Sequence, residues 1–285
     1  MVLGGSAARL GCAVAVCGAL LAGCTSGGDG PRGPAAGTTA QSAVSPSPSP
    51  TGVADIDPAK LPTTAAQAAT LVRDVLAQPS AFGPDAVRSS PYESDPRRWA
   101  VLGDDCVWEQ RALPKDVLAS LTRHYEIPAS GGRGPLALSA VVTVHRTAEQ
   151  ADQENAEVLE EMLRCPSQLL RSAEVLTDLT DVPNALGDLG NGYADDTLTE
   201  TGAYTSDRLG GPHPYVWEQT RIGPFTVAVS AKGAKGWSKT DLFDRLRDPH
   251  TRMRTGLRRA IERDAPAGTG APSRSESPVT KGSRR

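Results

Sequence analysis

Residues 136–146, Leu-Ala-Leu-Ser-Ala-Val-Val-Thr-Val-His-Arg, alternate at the period of a β-strand. Leu138, Ala140, Val142 and Val144 share one face, and Ser139, Thr143 and His145 share the other. A helix start follows at once. Thr147 with Gln150 three residues on is a capping-box pattern, and Ala151, Val158, Leu159, Met162 and Leu163 supply its apolar positions. Pro166 stops the run. A strand that hands directly to a long helix makes this an α and β chain. His145, on the polar face, reads as solvated.

Toward the N-terminus, Trp99 to Leu102 and Cys106 to Arg111 read as strands, and Pro114 to His124 as a short helix with Val117, Leu118 and Leu121 inward. Ser80 to Arg98 carries three prolines and reads as loop. A first helix starts at the Thr64/Gln67 capping box and ends at Pro79, with Ala69, Val72, Val75 and Leu76 as its stripe. Toward the C-terminus, Val175 to Thr180 reads as strand and Asn184 to Pro214 as mostly loop. Tyr215 to Arg221 and Phe225 to Ala231 form a hairpin around Gly223-Pro224. A helix capped by Ser238 follows, and Asp248-Pro249 restarts it as a second helix ending near Arg263. Val107-Trp108-Glu109-Gln110 recurs as Val216-Trp217-Glu218-Gln219, which suggests an internal ββα duplication.

The first residues look like an address rather than structure. Arg9 is the only charge before Asp29, and Leu10 to Ala22 is apolar, the order of a signal peptide. The run is shorter than the roughly 20 residues that span a bilayer. It closes on Leu21-Ala22-Gly23-Cys24, which resembles the bacterial lipobox; this implies a diacylglyceryl thioether on Cys24 and cleavage after Gly23. The alternative is an ordinary secretory signal with a chance cysteine. Residues 24–54, rich in Gly, Ser, Thr and Pro, read as a disordered linker that stands the domain off the membrane, and 265–285 as a disordered tail. The folded domain is then 55–264, at the extracytoplasmic face of the cell membrane.

Of five cysteines, Cys12 and Cys17 belong to the leader and Cys24 to the anchor. Cys106 and Cys165 remain, and an exported chain permits a disulfide between them; the alternative is two separate buried thiols. Cys106 and Trp108 point to one strand face. A bridge to the end of the 147–165 helix would pin that helix across the inner face of the sheet, over Trp108.

The folded part resembles actinobacterial lipoproteins similar to the extracellular sensor domains of PknH-type Ser/Thr kinases. The residues behind the resemblance are the Cys106-x-Trp108 strand, the strand-to-helix unit ending in Cys165, Leu186-Gly187-Asp188 after Pro183, the Trp217 hairpin and a terminal helix. It implies an α+β fold, an antiparallel sheet packed by helices, and a binding or sensing role without a kinase domain.

The chain has 285 residues and a formal net charge of −3, which gives no general pull toward nucleic acid. Gly233 to Thr240 sits where a phosphate loop would, but Ser238 replaces the second required glycine, leaving a basic turn. None of His124, His145, His213 and His250 has zinc-site spacing, and common serine-nucleophile signatures are missing from 55–264. Asp188, Asp195 and Asp196 do not fit a calcium loop. No catalytic residue, metal or cofactor is therefore expected. Trp108 and Trp217 could line a pocket, although strand tryptophans more often serve the core. Arg245, Arg247, Arg252, Arg254, Arg258, Arg259 and Arg263 crowd the last helices, a surface for anionic lipid or a cell-wall polymer or a merely solvated face. The favoured function is a lipid-anchored, non-catalytic binding or sensor-like module with an unidentified protein partner. The alternatives are a cell-wall hydrolase whose site assembles from scattered residues and a transporter's solute-binding protein.

Overall fold

The computed structural model describes residues 55–171, 173–184 and 194–264. The expected leader, the expected lipid-bearing Cys24, the expected linker and tail, and Leu186-Gly187-Asp188 with the glycines after it lie outside them. The domain is α+β, with three helices against a sheet-rich core. In chain order the elements are α1 (Ala65–Val75), β1 (Val87–Glu93), β2 (Arg98–Leu102), β3 (Trp108–Ala112), β4 (Val117–Ile127), β5 (Leu136–His145), α2 (Ala148–Arg164), β6 (Gln168–Arg171), β7 (Glu174–Asn184), β8 (Asp196–Ser206), β9 (Gly210–Ile222), β10 (Phe225–Lys232) and α3 (Lys239–Ile261). Eight strands make one antiparallel sheet in the order β1-β4-β5-β10-β9-β8-β7-β6, and β2 pairs with β3 in a separate hairpin.

The β5–β10 pair lies inside the sheet, third and fourth in the strand order, with Val142 opposite Val227 and Ala140 opposite Val229. The face that carries Leu138, Ala140, Val142 and Val144 meets Phe225, Val227 and Val229 of β10 and is covered by Ala68 and Val72 of α1 and Leu242, Leu246, Met253 and Leu257 of α3. The other face is buried as well. His145 is only 4% exposed, because α2 folds back over the polar side of the sheet. His145 Nε2 lies 2.7 Å from Glu154 Oε2 on α2, and the edge of the Trp99 ring stands over the imidazole. Thr226 donates to the same Glu154 oxygen, and Gln219 donates to Asn155. The solvated reading of His145 is therefore corrected: the strand is sandwiched, and its polar face is paired rather than wet.

That arrangement also revises α2. The capping box of Thr147 and Gln150 is formed, but of the expected apolar stripe only Ala151 is fully buried, and Leu163 is 76% exposed. The helix docks on a polar surface, so polar side chains make its contacts. Cys106 and Cys165 are joined, with their Cα atoms 5.5 Å apart. The bridge ties α2 to the β2–β3 hairpin, and Arg164 adds a 2.9 Å bond to the Gly103 carbonyl. The helix is thus pinned on the face opposite the apolar core, and not over an inward Trp108.

Four segments depart from their sequence patterns. Residues 114–124 do not form a helix; β4 runs through them. A bulge between Val117 and Ala119 turns both Val117 and Leu118 inward, and strict alternation follows through Leu121, Arg123, Tyr125 and Ile127. Arg123 hides that alternation, a cation at a core position held by Glu93 and by the Leu76 carbonyl, each at 2.9 Å. The 80–98 loop contains β1, an edge strand where Pro91 needs no partner for its missing N–H. Much of the expected loop at 184–214 is β8 and the start of β9, whose alternation is carried by threonines and small residues. The helix around Asp248-Pro249 is continuous: α3 passes through Pro249 without a second start.

Two ββα units are present, β4–β5–α2 and β9–β10–α3, back to back at the β5–β10 pair. Their helices lie on opposite faces. The two Val-Trp-Glu-Gln copies are not equivalent, since Trp108 stands in the small hairpin and Trp217 in the main sheet. The β9–β10 turn matches expectation: Gly223 takes a positive φ of 53°, and Ile56 occupies the space a side chain there would need.

The bridge closes 59 residues of chain, and loop entropy assigns such a link about 4 kcal/mol. Reduction should lower the melting temperature of the domain by roughly 8–16 °C. Scanning calorimetry with and without reductant tests this; an unchanged transition would remove the staple from any stabilising role.

Candidate ligand-binding cleft

The helix α3 packs on β9 and β10, and the sheet continues past it to β8. A cleft of about 360 Å³ opens where the helix flank meets the surface of β8 and β9. Its walls include Thr199 on β8, Glu218 on β9, and Phe243, Arg247, His250, Thr251 and Arg254 on α3. The helix is held by Leu242, Leu246, Met253 and Leu257, all fully buried. With the buried Pro249 between them, these anchors recur every three or four residues, so the neighbouring flank carrying 243, 247, 250, 251 and 254 faces β8.

The floor of the cleft is a chain of polar groups. Thr220 Oγ1 and His250 Nε2 are 3.0 Å apart, and His250 Nδ1 is 3.8 Å from Glu218 Oε2. Burial lowers the His250 pKa, against the opposing pull of Glu218, so the imidazole is neutral at physiological pH. The order hydroxyl, imidazole, carboxylate is that of a nucleophile, its base and an orienting acid. Thr220, however, is 0% exposed, beneath the histidine, where no substrate atom reaches its oxygen. The chain satisfies buried polar groups and fixes the ring.

Arg254 differs from its neighbours. Its Nε is buried without a partner, and its one hydrogen bond among the described residues is a 3.4 Å contact from Nη2 to Thr251 Oγ1. Burial lowers its pKa, and Glu218 acts in the other direction; a guanidinium nonetheless stays charged. The other terminal arginines are mostly occupied. Arg245 pairs with Asp85 and stacks on Trp237, Arg247 meets Asp244, Arg258 meets Glu262 and Arg263 meets Asp55. Arg252 and Arg259 are exposed.

The tryptophans stand elsewhere. Trp108 donates to Gln168 at 2.8 Å and joins the small hairpin to β6. Trp217 packs beside Leu176, Leu179, Tyr204 and Tyr215 under α2, its Nε1 without an acceptor. Neither lines the cleft. Asp195 and Asp196 gather on Arg221, Ser238 caps α3 in a capping box with Asp241, and the described residues hold no cluster suited to a metal ion.

A second polar feature lies beneath α2. Glu200 on β8 is opposite Asp181 on β7, and Glu200 is only 6% exposed. Desolvation raises the pKa of both, and their mutual repulsion raises Glu200 further. Both Asp181 side-chain oxygens are buried without a hydrogen-bond partner, so ionising the pair is costly. Glu161 of α2, also desolvated, is pushed up to about 7.

The sequence reading missed His250, Glu218 and Arg254 as a set. A usable signal existed: Glu218 alternates with Val216, Thr220 and Ile222, so a carboxylate was bound to share the helix-covered face. His250 and Arg254, one turn apart, mark the matching face of the helix.

The acid pair makes stability depend on pH. Because the folded pKa values lie above those of the unfolded chain, the folded state holds protons that the unfolded state loses as pH rises through the carboxylate range. The contribution to stability therefore falls from about pH 4 upward until the folded pair itself ionises. Glu200→Gln, neutral and of the same size, should leave melting near pH 5 almost unchanged and raise it by a few degrees at pH 8. A shift that is equal at both pH values would show that the pair does not titrate this way. No protein-family model and no curated protein matches the chain.

Proposed function

We propose that the protein is a lipid-anchored, extracytoplasmic binding module that takes up a small molecule in the cleft between α3 and the β8–β9 surface and performs no reaction on it. The observation that carries this reading is the cleft itself, an opening against a sheet buried on both faces, with an incompletely satisfied cation in its wall. The lipobox resemblance at Leu21 to Cys24 supports the anchor, and the disulfide is the kind of bond that an exporting compartment preserves. The Thr220–His250–Glu218 chain is what a hydrolase reading would use; the burial of Thr220 argues against it.

Three measurements test the proposal. Cys24→Ala should release the chain to the medium or leave its leader attached; a cleaved variant that stays in the membrane fraction would contradict the anchor. Wild-type chain extracted from native membranes and denatured should yield a small molecule in near-stoichiometric amount, and Thr199→Trp, which fills the cleft, should lose it. Equal recovery from both would place the ligand elsewhere or nowhere. Ester and amide substrates should turn over no faster with the wild type than with Thr220→Val; a difference would restore the hydrolase.

A further inference from the structure

We infer that the cleft ligand is a small organic anion, a carboxylate or phosphate on an apolar body, with Arg254 and Arg247 holding the anionic end and Phe243 flanking the rest. This rests on the cleft being the binding site proposed above, and adds the chemical class.

The charges that face the cleft decide the sign. Arg247, Arg254 and Glu218 are its charged groups, and the buried His250 is neutral. Asp244, beside the lining, already pairs with Arg247, so the sign is decided by Arg254, whose buried Nε has no partner. Arg254 makes no ion pair with Glu218 among the described residues, although the two share the cleft. Its Thr251 contact is long for a charged donor, where about 2.7–2.9 Å is usual. A guanidinium nitrogen buried without an acceptor, as Nε of the partly buried Arg254 is, is costly to keep, and a planar oxyanion satisfies two guanidinium N–H groups at once.

The spacing places the relevant side chains on one flank of the helix. Arg247 and Arg254 are seven residues apart, two turns and about 10.5 Å along the helix axis. They therefore stand on the same flank, with the Thr251 hydroxyl between them. Asp244 holds Arg247 at 2.9 Å, but both partners are largely exposed, so that pair costs little to exchange for a ligand oxygen. Phe243 lies one turn before Arg247 on this flank and is half-buried. Thr199, on the opposite wall, offers a further hydroxyl. An anion with no apolar part would leave the Phe243 end empty, and a neutral apolar molecule would leave Arg254 unmatched.

The test titrates the full chain, solubilised in mild detergent, with phenyl phosphate, benzoate, inorganic phosphate and benzyl alcohol by calorimetry. Phenyl phosphate or benzoate should bind saturably, and which of the two is tighter distinguishes phosphate from carboxylate. Benzyl alcohol and inorganic phosphate should each be at least about tenfold weaker. Arg254→Gln should lose about tenfold or more of the anion affinity, and Glu218→Gln should gain affinity, a change that a merely structural role would not produce. Should Arg254→Gln melt far below the wild type, Arg247→Gln decides, because Arg247 is exposed and the fold does not depend on it. Absence of saturable anion binding, equal affinity for benzyl alcohol, or full affinity in the arginine variants would each overturn the inference. Benzyl alcohol binding that Thr199→Trp abolishes would leave the cleft as a binding site and remove only the anionic class.

Discussion

The structure depends on one constraint: the β5–β10 pair is covered on both faces. One face is apolar and meets α1 and α3 through ordinary core packing. The other carries Ser139, Thr143, Thr226 and His145, and it too is removed from water. Burying such groups is costly unless they find partners. Thr143 meets Ser120, Ser139 meets Ser230, and Glu154 of α2 serves both His145 Nε2 and Thr226, while His145 Nδ1 is buried without a partner. The helix α2 is therefore held by hydrogen bonds of specific geometry more than by apolar area. Such a contact is selective about register but weakly adhesive, which is why the link from Cys165 to Cys106 and the Arg164 contact to the hairpin matter at its far end.

The apolar face produces the cleft. Eight strands are wider than one helix, so α3, fastened over β9 and β10 by a regular row of leucine, methionine and isoleucine side chains, ends its coverage before β8 begins. The polar residues on its outer flank then stand over the sheet without touching a second helix. Glu218 and Thr220 rise from β9 to meet His250, and Arg254 overhangs the opening. The cleft belongs to no single loop. It is built from a helix and a sheet, which hold its groups in place.

The acid pair of Glu200 and Asp181 sits on the other side of the same strands. It carries a stability cost at neutral and higher pH that the apolar core must offset. Tyr215 and Trp217 stand beside it, so the aromatic content of β9 is spent on shielding these carboxyls and not on a pocket.

Much of this fold was legible from local pattern. The alternation of 136–146, the capping boxes at Thr64 and Thr147 and the cap at Ser238, and the hairpin at Gly223-Pro224 depend on neighbours three or four residues apart, and each formed as read. So did the pairing of Cys106 with Cys165, the two cysteines outside the expected leader and anchor. What failed were segments whose pattern is interrupted by a residue satisfied from far away. Arg123 looks like a surface position until Glu93 and the Leu76 carbonyl are brought to it; the polar face of β5 looks solvated until α2 folds over it; the threonines of β8 look like loop until β7 and β9 flank them. The cleft was beyond reach for the same reason, since Glu218, His250 and Arg254 acquire their relation only when α3 crosses β9. Sequence alone determined which segments are strands and helices wherever burial follows a short period. Tertiary structure alone decided which polar groups are buried, because a hydrogen bond or ion pair that permits burial is made by chain elements distant in sequence.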